Sequence, residues 1–131
     1  MNESTHEAFD LTKTYVHLEA GGGAQTEDVG ADFWARISTR PYEGMRLVAA
    51  IRHDADSPAW EMHPAGDELL CLLSGAVTVV FEEGGAERTV ELSRAGEACV
   101  VRRGTWHRLV VREPGDVLFV TPGAGTEHRP R

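Results

Sequence analysis

Between residues 44 and 122 the chain runs as short apolar stretches, each rich in valine and leucine and each ended by residues that turn a backbone cheaply. The stretches are GMRLVAAIRH, AWEMH, ELLCLLS, AVTVVFEE, ERTVEL, EACVVR, TWHRLVV and VLFVTP, separated by DADSP, PAGD, SG, GGA, SRAG, RRG and REPGD. Short strands in such close succession predict an antiparallel sandwich or barrel.

The flanks read differently. FDLTKTYVHL predicts one further, imperfectly alternating strand, and GGGAQTEDVGAD, glycine-rich and without a phosphate-loop lysine, reads as a linker. Asp32 is positioned to cap a helical turn, DFWARI, in which Phe33, Trp34 and Ile37 cluster at helix spacing. GAGTEHRPR has neither apolar content nor periodicity and reads as a frayed tail. The expected organisation is an N-terminal extension and linker over 1–31, one β-barrel domain over 32–122 and a flexible tail over 123–131.

Composition narrows the partners. The 131 residues suit one domain with a real core. With 21 acidic and 13 basic side chains the net charge is -8, which repels nucleic acid and anionic lipid. The start, MNESTHEAFD, lacks a basic and apolar leader, and no eighteen apolar residues run together, so a soluble, cytoplasmic protein is expected. Cys71 and Cys99 stand in apolar runs without C-x-x-C spacing and are expected to be reduced, buried thiols.

One stretch, WEMHPAGDELLCLLSG at 60–75, carries chemistry that its apolar setting does not explain. On a strand Glu61 and His63 share one face, and Trp60 and Met62 the other. The PAGD turn brings Glu68 back beside His63, with Leu70 and Leu72 on the same face deeper in the barrel. Burying even a neutral polar group without a partner costs about 2–7 kcal/mol, which a bound cation would offset.

The spacing H-x4-E-x6-G of His63, Glu68 and Gly75, followed by Gly96-x5-Arg102-x-Gly104-x2-His107, resembles the two motifs of the cupin superfamily over about residues 40–121. The family's first motif is G-x5-H-x-H-x(3 or 4)-E-x6-G and its second G-x5-P-x-G-x2-H-x3-N. Here Ala55 stands at the first glycine, Glu61 at the first histidine, Arg102 at the proline and Val111 at the asparagine. The resemblance implies an all-β double-stranded β-helix, a jelly-roll barrel, here with a short N-terminal helical turn. It also implies a divalent metal (Fe, Mn or Zn) held by Glu61, His63, Glu68 and His107. Two carboxylates would make a divalent site formally neutral, where three histidines and one carboxylate leave it at +1, so the ion would be a weaker Lewis acid. Glu61 is either the fourth ligand or a general base beside the metal.

Three functions follow from that resemblance. They are a metal-dependent enzyme (oxygenase, isomerase or decarboxylase) acting on a small organic molecule, a non-catalytic small-molecule-binding cupin without metal, and a subunit with a vestigial site. Trp60 and Trp106 each precede a proposed ligand by one position and should face outward, covered by a homodimer partner or by Phe33 and Trp34. Arg102 and Arg103 read as a solvated charge pair or as holders of an anion at the mouth. His6, His17, His53 and His128 read as solvated, without a role.

Overall fold

A computed structural model describes residues 6–37 and 44–131 and shows two packed antiparallel sheets. The residues 1–5 of the opening stretch lie outside the described ones. In chain order the elements are β1 (Thr14–Leu18), β2 (Ala24–Asp28), α1 (Phe33–Ile37), β3 (Arg46–His53), β4 (Ala59–Met62), β5 (Glu68–Leu72), β6 (Ala76–Glu83), β7 (Ala86–Leu92), β8 (Ala98–Val101), β9 (His107–Glu113), β10 (Gly115–Thr121) and β11 (Glu127–Pro130). The large sheet has the order β2-β1-β3-β10-β5-β8 and the small one β11-β4-β9-β6-β7. All eight strands expected between 44 and 122 are present, as are the strand in FDLTKTYVHL and the helical turn. Among the described residues no helix is long and apolar enough to cross a membrane.

Two segments depart from the sequence reading. The stretch read as linker contains β2, whose five residues pair with all of β1, and the stretch read as a frayed tail contains β11, paired with β4 from Glu127↔Met62 to Pro130↔Ala59. Both are polar, AQTED and EHRP, and mostly exposed. Backbone pairing to a formed edge stabilises them, so no apolar alternation is needed.

The core lies between the sheets. Leu70, Leu72, Val77, Val79, Leu109 and Val117 are buried there, with Phe81, Leu92 and Val101 around them. Each such side chain contributes about 1.5–3 kcal/mol by leaving water. A smaller cluster of Tyr15, Phe33 and Ala49 packs β1 and α1 against β3, with the Tyr15 and Phe33 rings edge to face at 5.1 Å. Glu27 of β2 ties this region together: its carboxylate lies 2.8 Å from His17 and also pairs with Arg36 of α1. Burial raises the Glu27 pKa, yet its bonds to His17 and Arg36 outweigh that and hold it below the usual carboxylate range. His17 is thus buried rather than solvated. Cys71 and Cys99 are free thiols, half-buried.

One glycine of the first motif has a steric explanation. Gly75 sits at φ 77°, and a Cβ there would lie 2.5 Å from the Glu113 carbonyl oxygen and 2.6 Å from that of Pro114. A side chain at this turn between β5 and β6 would push it off the turn between β9 and β10.

Candidate metal centre

Two turns bring the chemistry together. Asp67, between β4 and β5, accepts a hydrogen bond from the Arg103 backbone N–H at 2.8 Å and one from the Arg102 guanidinium at 3.2 Å. Those bonds, the Arg103 one first, lower the Asp67 pKa. The Gly104 N–H also donates to the His63 carbonyl. Arg102 and Arg103 are therefore the latch joining the β4–β5 turn to the β8–β9 turn. Both arginines are exposed, as the solvated reading expects, and hold the turns together as well.

Beside the latch, Glu61, His63 and His107 come together, and Glu68 lies against both imidazoles. Glu61 and His107 are paired across β4 and β9. The imidazole centres of His63 and His107 are 5.2 Å apart. One donor atom each of Glu61, His63 and His107 lies within 4.8 Å of the others, a group that could hold a metal ion. Glu68 Oε1 is 3.1 Å from His107 Nε2 and 3.4 Å from His63 Nε2, and Glu61 Oε1 is 3.8 Å from His63 Nε2. Exposure is only 4% for His63, 3% for Glu68 and 5% for His107, whereas Glu61 is half-buried and borders the cavity.

The hydrogen bonds around the rings fix which nitrogens face inward. The Thr126 hydroxyl donates to the Gly123 carbonyl at 2.8 Å, so at its 2.8 Å contact with His63 Nδ1 it accepts. The His107 Nδ1–H donates to the Thr105 carbonyl at 3.0 Å. In the neutral rings both Nε2 atoms then present lone pairs toward Glu68 Oε1. Despite the short distances the approaches are not aligned as hydrogen bonds, and His63 Nε2 and Glu68 Oε1 are buried without a hydrogen-bond partner. The second Glu68 oxygen accepts from the Thr121 hydroxyl.

Three acceptors facing one another need a positive charge between them, either a proton or a cation. The pKa shifts of the cluster run in the same direction. Burial pushes the Glu68 pKa up, but the adjacent imidazoles overcome this and bring it down to about 2. Burial lowers the His107 pKa, yet Glu68 beside it raises it on balance. The residues therefore fit a divalent cation on chemistry as well as placement: two neutral imidazoles and two carboxylates suit Mn, Fe or Zn and disfavour copper(I).

No family model matches the chain, and no curated protein matches it. Solved structures do. Oxalate decarboxylase from Bacillus subtilis superposes with a TM-score of 0.51 at 17% identity, covering 66% of this chain and 23% of that one. The chain has the cupin fold. Hydroxypropylphosphonic acid epoxidase from S. wedmorenis is similar at 17% identity and a TM-score of 0.49, over 58% of this chain and 43% of that one. The chain thus spans about a quarter of the decarboxylase and under half of the epoxidase. The decarboxylase is described with Mn(II) centres and the epoxidase with Fe(II).

Two supporting residues were not assigned from the sequence: Thr126 was passed over and His128 was read as solvated, without a role. Thr126 carries His63 Nδ1, and His128 Nε2 lies 3.0 Å from Glu61 Oε2. Both come from the C-terminal segment, whose register on β4 sets His128 opposite Glu61. The T-x-H spacing was the available signal, but nothing local marked it as paired. The outward tryptophans are covered within the chain. Arg108 and Arg129 guanidinium groups lie 5.0 and 5.3 Å from the Trp60 ring centre, and Arg129 lies 4.7 Å from that of Trp106. Neither a second subunit nor Phe33 and Trp34 are needed to cover Trp60, which is 6% exposed.

Proposed function

We propose that the chain holds one divalent metal ion through Glu61, His63, Glu68 and His107 and carries out metal-dependent chemistry on a small organic molecule. The observation that carries this reading is the trio of His63 Nε2, His107 Nε2 and Glu68 Oε1, mutually within 3.1–3.4 Å of the shared carboxylate oxygen and without a donor between them. Leaving such buried atoms unsatisfied costs about 1–3 kcal/mol each, so the arrangement points to an occupant. A divalent ion there supplies Lewis acidity and a coordination position for a substrate oxygen.

The chain's own groups supply the rest. Thr126 and the Thr105 carbonyl lock the two imidazoles in the tautomer that presents Nε2, and Thr121 orients Glu68. Glu61 borders a cavity of about 800 Å³ and completes the donor set. It is also the carboxylate best placed to accept a proton from a bound molecule, since Glu68 is enclosed and committed to two rings.

The runner-up is a metal-free binding pocket in which a proton shared by His107 and Glu68 fills the gap. The raised His107 pKa favours it. Elemental analysis of protein purified without chelator separates the two. The metal reading expects close to one equivalent, lost in His63→Ala and His107→Ala. Less than about a tenth of an equivalent, with no uptake on incubation, would leave the metal-free pocket standing.

A further inference from the structure

We infer that the cavity selects an uncharged molecule with an apolar, ring-sized body and a single oxygen-bearing end, and discriminates against dicarboxylates and phosphonates. The inference rests on the metal-holding reading above and concerns the rest of the same cavity. Its walls are Leu47, Ala49 and Ile51 of β3, Leu70 of β5, Leu109 of β9 and Phe119 of β10. At one side lies the metal-type cluster. At another, Trp34 and Ile37 of α1 border the space, and Trp34 is half exposed. Apolar walls with polar groups converging at one place are the form of a pocket for a mostly apolar ligand.

Charge decides against an anion. Among the described residues the one lysine or arginine lining the cavity is Arg108, and its guanidinium is stacked over Trp60. The remaining histidines of the wall are engaged: His17 with Glu27, His128 with Glu61, and His53 with the Ile51 carbonyl and the Phe119 ring. Asp56, the other carboxylate of the lining, accepts from the Val111 N–H. The cluster's two carboxylates and a divalent ion sum to zero formal charge, and without the ion to two negative charges. A dianion entering this space would give up its hydration and, beyond an ion whose charge the two carboxylates already balance, would meet no free lysine or arginine among the described residues. A neutral ring would leave water for apolar walls and still place one oxygen at the centre.

The test uses the full chain, incubated with Mn(II) and checked for metal content. Binding of 1-phenyl-1,3-butanedione, neutral at pH 6, is compared by calorimetry with that of phenylmalonate, a dianion of similar size, and of oxalate. The diketone should bind at least about tenfold more tightly than either acid, a difference of about 1.4 kcal/mol. Ile51→Ala should weaken the diketone several-fold and leave oxalate, which has no ring, unchanged. Ile51→Lys, if its thermal midpoint shows it folded, should invert the preference. Equal or tighter binding of the diacids, or no binding of the diketone, overturns the inference. Should the chain take up no metal, the metal reading fails on that measurement alone, and the ranking of the same probes on the metal-free chain still decides the selectivity.

Discussion

Strands β4 and β9 each carry two opposite kinds of surface, and the contrast between their faces locates the chemistry. Inward, Glu61 and His107 join His63 and Glu68 in a cluster with two buried atoms left without partners. Outward, one residue away, Trp60 and Arg108 belong to a stack of rings and guanidinium groups. Trp60 lies between Arg108 and Arg129, Arg129 also covers Trp106, and Arg129 pairs with Glu82. Both faces concentrate charge on a small sheet. One is built of paired groups, while the other holds His63 Nε2 and Glu68 Oε1 without a hydrogen-bond partner. Unmet hydrogen-bonding capacity, rather than charge itself, separates a site from a surface.

Substitutions on the two faces should separate along that line. The largest effect is expected for His107→Ala: metal affinity falls by more than about 1,000-fold in a chelator competition, since a donor itself is lost and not an outer support. Trp60→Ala should do the converse, lowering stability by about 3 kcal/mol in denaturant unfolding while metal content stays unchanged. If Trp60→Ala emptied the site as well, the two faces would not be independent.

Thr126→Val tests the support beneath the inner face. It removes the acceptor for the His63 Nδ1–H and should weaken metal binding about tenfold, with Thr126→Ser restoring it. A pH titration of the metal-free chain sharpens the same point. Because the Glu68 pKa is depressed from 4.5 to about 2 in the folded state, its stabilising contribution is complete above 4.5 and is lost as the pH falls toward 2. Glu68→Gln should flatten the thermal midpoint across that window. The smallest effect concerns Cys99, whose thiol pKa burial and the Glu68 charge push up to about 11. Alkylation of Cys99 at pH 8 should run about tenfold or more slower than that of an unperturbed thiol.

The barrel and three of the cluster residues, Glu61, His63 and Glu68, were legible because they rest on local pattern. Alternation marked Glu61, His63 and Glu68 as sharing a face, and a turn of four residues was enough to fold Glu68 back on His63. His107 was reached through motif resemblance alone, since nothing near it in sequence shows that its strand lies beside β4. What stayed hidden depends on pairing between distant segments. β2 and β11 are polar strands recruited by edges that exist only after folding. Thr126, His128 and the covering arginines owe their roles to where β11 docks. The Asp67 latch was missed for a similar reason: a turn carboxylate and two turn arginines look like ordinary surface charge until the turns meet.

The docking of β11 has a kinetic consequence. Thr126 and His128 reach back 63 and 67 positions to His63 and Glu61, so the inner shell acquires its final geometry only when the C-terminal strand closes on an almost complete barrel. Contacts of such long range form late. A spectroscopic signal from captured metal would therefore report the last step of assembly, turning the ion into a timer for the final strand rather than a seed for the first.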